Sequence, residues 1–140
     1  MRAVLDPNVI ISALLSPSGA PARLLQAWVQ GRFELIVSPL LLAELERALA
    51  YPKLRKHITS EEAREIVAWL SESATSANDP DILPTVRSSD PGDDYLVVLA
   101  ENMQAALVSG DEHLLALASK LPIYSPADFL RLLAVPHRSP

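Results

Sequence analysis

Two aspartates in this 140-residue chain close short apolar runs. Asp6 follows Ala3-Val4-Leu5, and Asp111 follows Leu107-Val108 and the small pair Ser109-Gly110. More carboxylates stand in helical patterns between them. Glu44 and Glu46 lie on opposite flanks of an apolar stripe built from Leu41, Leu42, Leu45 and Leu49, and periodicity does not choose between them. Asp93 and Asp94 open a stretch in which Leu96, Ala100 and Met103 share a side, and Asp93 is the nearer of the two to that side. Singly, each acid has an ordinary explanation: a turn aspartate bonding its own backbone, a surface glutamate, a helix cap. As a set they describe a different chemistry. Converging carboxylates repel, and one stays protonated unless a cation sits among them. Oxygen-only ligation suits Mg²⁺ or Mn²⁺ rather than zinc. A cation held by acids with open positions orients a phosphate, acidifies a bound water and offsets charge in phosphodiester hydrolysis.

The elements that would carry these acids alternate. Arg2–Leu5 reads as a buried strand, ended by Asp6, Pro7 and Asn8. Val9–Leu15 is a short helical or turn segment, 16–21 a loop, and Ala22–Gln30 a helix that Gly31 stops. Phe33–Val37 is a second buried strand. Ser38 caps the next helix, with Pro39 at its first position, and Tyr51-Pro52 ends it. Thr59 and Glu62 form a capping box for a helix through about Ser73. Residues 75–91, rich in Ser, Asp and Pro, are a long connection with a short extended piece at Ile82-Leu83. A buried helix at Asp93–Gln104, a strand at Ala106–Val108, a helix at His113–Lys120, a strand at Pro122–Tyr124 and a helix at Pro126–Leu133 follow. Strands alternating with helices predict an α/β fold with a mostly parallel sheet covered on both faces. In such a sheet the strand ends share one edge, so the acids can converge there.

Composition narrows the class. A chain of this length predicts one domain over residues 1–135, with 136–140 frayed. Hydrophobic residues are 49% and charged residues 21%, ordinary for a packed globular domain. There is no cysteine, which excludes disulfides and thiolate metal sites and fits a reducing cytosol. The amino terminus does not read as a signal peptide, and no apolar run reaches membrane-spanning length. The expected location is therefore cytoplasmic, with no membrane partner. A net charge of −5 argues against a protein that coats nucleic acid by bulk positive charge, though not against a nuclease. The one dense basic stretch is Lys53 to His57, where Lys53, Arg55 and Lys56 could guide a nucleic-acid backbone or simply solvate a helix end. No glycine-rich phosphate loop is present.

Four stretches, in order and spacing, resemble the PIN-domain ribonucleases, especially the small VapC-like toxins of prokaryotic toxin–antitoxin modules. They are Val4-Leu5-Asp6-Pro7-Asn8-Val9, Leu41-Leu42-Ala43-Glu44-Leu45, Asp93-Asp94-Tyr95-Leu96 onward to Ala100, and Leu107-Val108-Ser109-Gly110-Asp111. The resemblance implies a three-layer α/β/α sandwich around a parallel sheet. It implies a Mg²⁺- or Mn²⁺-dependent endoribonuclease acting on single-stranded RNA. Carried over to this chain, it assigns Asp6, Glu44, Asp93 and Asp111 as catalytic metal ligands. Asn8 and Ser109 would hold the acids in place, and Asp94 would be an accessory. It also implies a cognate antitoxin and often a homodimer. One departure is visible: Pro7 stands where relatives usually have Thr or Ser, which removes a hydroxyl and a backbone N–H.

Two other readings compete. A phosphotransferase with an Asp6 nucleophile would want an acid where Asn8 stands and a well-placed lysine, for which only Lys120 is available late in the chain. A catalytically weak or inactive PIN-like binding module would act through a protein partner alone.

Overall fold

The computed structural model describes residues 1–82 and 91–135. Its first strand, β1 (Arg2–Leu5), lies at the centre of the sheet, with Ala3, Val4 and Leu5 wholly buried. A strand buried on both faces must be apolar throughout, which explains the lack of alternation in its sequence. The chain then runs through α1 (Pro7–Leu15) and α2 (Ala20–Val29) to β2 (Glu34–Val37). It continues through α3 (Pro39–Leu49), α4 (Pro52–Arg55) and α5 (Ser60–Ser73) to β3 (Thr75–Ser76). A 3-10 turn at Pro91–Asp93 leads into α6 (Asp94–Asn102), followed by β4 (Ala106–Val108), α7 (Glu112–Leu115), β5 (Ile123–Tyr124) and α8 (Pro126–Ala134).

The five strands are all parallel, in the order β3-β2-β1-β4-β5. Two crossovers step outward from β1 to β2 to β3. The chain then returns past β1 to β4 and steps out again to β5. Because such crossovers are right-handed, the reversal sends helices to opposite faces and gives three α/β/α layers. The packing follows: α8 lies on α2, α2 on α1, α1 on α3 and α3 on α5, whereas α6 lies against β1 and β4. The core joins the two, with Leu41, Leu45 and Leu49 of α3 and Leu96 and Leu99 of α6 almost fully buried. Each such leucine contributes about 1.5–3 kcal/mol relative to an exposed one.

Local signals set the helix starts. Ser38 Oγ accepts from the Leu41 N–H at 3.3 Å. The Thr59–Glu62 capping box forms in both directions, at 2.9 and 3.1 Å. Ser125 Oγ accepts from the Asp128 N–H at 3.2 Å.

The structure departs from the sequence reading in four places. The first helix begins at Pro7 rather than Val9, because Asp6 caps it. Pro52 does not merely end α3 but opens the short α4, the position at which a proline's missing N–H is harmless. The connection after α5 contains a strand, β3, two residues long. The helix expected over His113–Lys120 stops at Leu115. Beyond it, the Leu117, Ala118 and Lys120 N–H groups bond three residues back, tightening the chain into turns before β5. The frayed tail anticipated at 136–140, and the extended piece anticipated to reach Leu83, fall outside the described residues.

Candidate active site

In a parallel sheet every strand delivers its last residue to the same edge. Asp6 ends β1, and its backbone N–H still bonds Val108 of β4 at 2.9 Å. Its φ of −52° and ψ of 136° turn the chain into α1. As cap of that helix, the Asp6 Oδ1 accepts from the Asn8 N–H at 3.0 Å. Pro7 at the first helical position lacks only an N–H that would have been unpaired anyway. The residue that departs from the family pattern thus leaves the Asp6 cap intact.

Ser109, just past β4, is fully buried. Its hydroxyl donates to Asp6 Oδ2 at 2.8 Å and accepts from the Asp111 N–H at 3.0 Å. Asp111 in turn caps α7, its Oδ1 accepting from the His113 N–H at 2.8 Å. Asp6 and Asp111 line one cleft of about 420 Å³, together with Asn8, Ser12 and Gly110.

Helices bring the other acids. A helix that follows a parallel strand begins at the same edge, so α3 starts there and Glu44, five residues in, stands about 7.5 Å along it. Glu44 is half-exposed and pairs with Arg47 at 2.5 Å, whereas Glu46 is exposed. The charge of Glu44 is felt at both Asp6 and Tyr95. The helix α6 precedes β4 and runs against it, so its first turn also stands at this edge. Asp93, half-buried, ends the 3-10 turn just before it, and Asp94, 7% exposed, is its first residue. The deeper of the two is Asp94, contrary to the helical-face expectation. Asp93 is the last residue of the 3-10 turn, where the angular spacing of an α-helix does not apply.

The electrostatics fit a cation-seeking site. Burial pushes the Asp6 carboxyl up from its ordinary value; the Asn8 N–H and the Ser109 hydroxyl oppose this, and the charges of Asp111 and Glu44 add to it. Among the described residues, no three His, Asp or Glu side chains are gathered closely enough to hold a metal ion as they stand. The donor set fits a loosely held hard cation, because Mg²⁺ keeps several waters and takes one or two carboxylates. Asp6 and Asp111, sharing the cleft, are such a pair.

Two residues of this edge escaped the sequence reading. Tyr95, in the first turn of α6, lies among Glu44, Asp6, Asp93 and Asp79; burial foremost, then those charges, push its hydroxyl above the usual phenol range. Asp79, after β3, accepts from the Leu40 N–H at 2.9 Å and fastens the start of α3. Asp79 sits in a turn-like Asn78-Asp79-Pro80 stretch that carries no site signal, and Tyr95 reads as one more core residue of an apolar helix. The basic stretch goes elsewhere. Lys53, Arg55 and Lys56 follow the carboxyl end of α3, Lys53 and Lys56 are exposed, and Arg55 is half-buried. A second cleft of about 340 Å³, lined by Val97, Leu107 and Ile123, is apolar and opens at the opposite edge of β4 and β5.

A family model described as a PIN domain matches residues 2–113. The chain belongs to the PIN domain family. This PIN domain is 29% identical over 118 residues to the uncharacterized protein MJ1680 of Methanocaldococcus jannaschii, covering 84% of this chain and 75% of that protein. Its fold is similar to the crystal structure of PAE2754 from Pyrobaculum aerophilum, with a TM-score of 0.65 and 19% identity over 97% of this chain and 91% of that one. PIN domains are generally nucleases that bind divalent metals, and the present one has the nuclease-type fold. Among the described residues, no helix is long and apolar enough to cross a membrane.

Proposed function

We propose that this PIN domain is a Mg²⁺- or Mn²⁺-dependent endoribonuclease that cleaves single-stranded RNA, with Asp6, Glu44, Asp93 and Asp111 as its metal-binding acids. The observation that carries the reading is the state of Asp6. It is 4% exposed, hydrogen-bonded on both oxygens, and faces the charges of Asp111 and Glu44. The helix cap and the serine bond only partly offset the cost of burying this carboxylate beside two like charges, and a cation among them would remove it.

In this reading Ser109 and Asn8 fix the Asp6 oxygens so that their remaining lone pairs face the cleft. Asp111 presents its free oxygen from the same wall. Glu44 and Asp93 close the site from α3 and from the turn that leads into α6, with Asp94 beneath. A divalent cation bound there would draw in the phosphate and acidify the attacking water. The residues themselves hold the acids apart and oriented, so little rearrangement is needed when charge develops. The biological setting we propose is that of a toxin with a cognate antitoxin, acting in the cytoplasm, with a homodimer as its assembly. Lys53, Arg55 and Lys56 are proposed to steer RNA towards the site, an effect that fades with salt.

The test is cleavage of labelled single-stranded RNA by wild type and Asp6→Asn, in Mn²⁺, Mg²⁺ or EDTA. Cleavage that needs metal and is lost in the variant is the expected result. Clean wild-type protein that cuts none of several RNAs in either metal overturns it.

The spacing of the acids also favours a second reading, a binding module that acts through a protein partner. Its signature is metal-free protein that gains no thermal stability from Mg²⁺ or Mn²⁺. The phosphotransferase loses ground, because Lys120 is exposed in the turns that lead into β5 and so stands at the far edge of the sheet.

A further inference from the structure

The edge that gathers the acids is rich in acceptors, and the side-chain donors that line its cleft, Asn8 and Ser12, are exposed rather than held by packing. Carboxylates accept only, and a phosphate brought among them also has only acceptor oxygens. The Ser109 hydroxyl is already committed to Asp6, and it takes the Asp111 N–H in return. Tyr95 is different. Its half-buried ring packs against the hydrophobic core, which restricts its direction. Its hydroxyl end lies among Glu44, Asp6, Asp93 and Asp79. Among the described residues no group hydrogen-bonds that hydroxyl, and it is not sealed from solvent. It stands on the first turn of α6, which meets the carboxyl edge of β1 and β4 where Asp6 and Asp111 are delivered.

We infer that Tyr95 touches the substrate: its phenolic hydroxyl donates a hydrogen bond to a non-bridging oxygen of the phosphate that is cleaved. The inference rests on the ribonuclease reading. It makes Tyr95 a catalytic residue whose hydroxyl has no hydrogen-bond partner among the described residues and finds its acceptor when the backbone enters. A donor held by a packed ring needs little reorganisation as charge grows on that oxygen, and this is where such a donor is worth most.

The experiment compares wild type with Tyr95→Phe, which keeps the ring and removes only the hydroxyl. Single-turnover cleavage is measured on RNA carrying, at the site mapped with wild type, either a phosphate or one of the two phosphorothioate diastereomers. The variant is expected to melt with wild type and to lose roughly 10²-fold in kcat with KM little changed, the scale of removing one oxyanion donor. Sulfur at the contacted oxygen slows wild type, and that penalty shrinks in the variant for one diastereomer only. Wild-type cleavage with an unimpaired Tyr95→Phe overturns the inference and leaves the nuclease standing. A slowed variant with the same sulfur penalties as wild type also overturns it, because Tyr95 would then act through packing. A wild type that cuts no RNA removes the ribonuclease reading and this inference with it.

Discussion

Ser109 Oγ stands 2.8 Å from Asp6 Oδ2, joining the ends of two neighbouring strands whose residues lie 103 positions apart in sequence. The same oxygen accepts the Asp111 N–H, so one hydroxyl sets the positions of two acids. Ser109→Ala is expected to lower folding stability by about 1–3 kcal/mol, since the buried Asp6 carboxylate and the half-buried Asp111 N–H lose their partner. It should also raise the Asp6 carboxyl further, because the serine hydroxyl holds it down. Urea melts and RNA cleavage check both, and a variant as stable as wild type would show that the hydroxyl is dispensable.

Asp6 gives a pH dependence of definite sign. Its folded-state carboxyl is raised above the ordinary 3.8, so the folded protein holds that proton more tightly than the unfolded chain. The stabilising contribution is present below 3.8 and is lost as pH rises through the folded value. In EDTA, Asp6→Asn should therefore gain on wild type as pH goes from about 4 to about 7. Asparagine can still accept from the Asn8 N–H, so the helix cap survives. Denaturation midpoints of the two proteins across that range decide the matter; a gap that narrows with rising pH contradicts the raised carboxyl.

Adding Mg²⁺ or Mn²⁺ at neutral pH should reverse that order. A ligand at 100 times its dissociation constant stabilises the protein that binds it by about 2.7 kcal/mol. Wild type should gain an upward melting shift that Asp6→Asn lacks. Equal shifts in both would place any bound metal away from the acids.

Pro7 is the departure from the family pattern, and the structure makes it benign. It is buried at the first position of α1, directly after the Asp6 cap. Pro7→Thr should cost about 0.4–1 kcal/mol by freeing the unfolded chain. Cleavage should change little, because no acid changes its partners. A large rise in cleavage rate would instead mark Pro7 as a brake on the site.

Thr59 offers a control away from the acids. Its hydroxyl and the Glu62 carboxylate satisfy each other's backbone N–H groups at the start of α5. Thr59→Ala should cost about 1 kcal/mol in a chemical melt and leave cleavage unchanged per folded molecule.

The sequence exposed those features that side chains alone enforce. A strand buried on both faces is an apolar run, so β1, β2 and β4 could be read directly, and with them the acids Asp6 and Asp111 at their ends. The strand β3 is Thr75-Ser76, two polar residues held by backbone pairing to β2, and nothing in its side chains announces it. Pro52 shows the limit of local rules, since the same residue that ends one helix opens the next. Glu44 and Glu46 were equivalent by helical angle; only the family resemblance separated them, and the charge of Glu44 is felt at Asp6 and Tyr95. Tyr95 stayed hidden because an aromatic residue in an apolar helix counts as core until its neighbours in space are known.

The central place of β1 has a consequence for the order of events during synthesis. The strand β1 is flanked by β2 on one side and by β4, about a hundred residues later, on the other. Long-range pairings of this kind form slowly and late. Asp6 leaves the ribosome before Ser109 and Asp111, and it cannot meet them until the 103 positions between Asp6 and Ser109 have been translated. A nascent polypeptide therefore carries these acids scattered, and the edge they share is assembled only after Asp111 has been made.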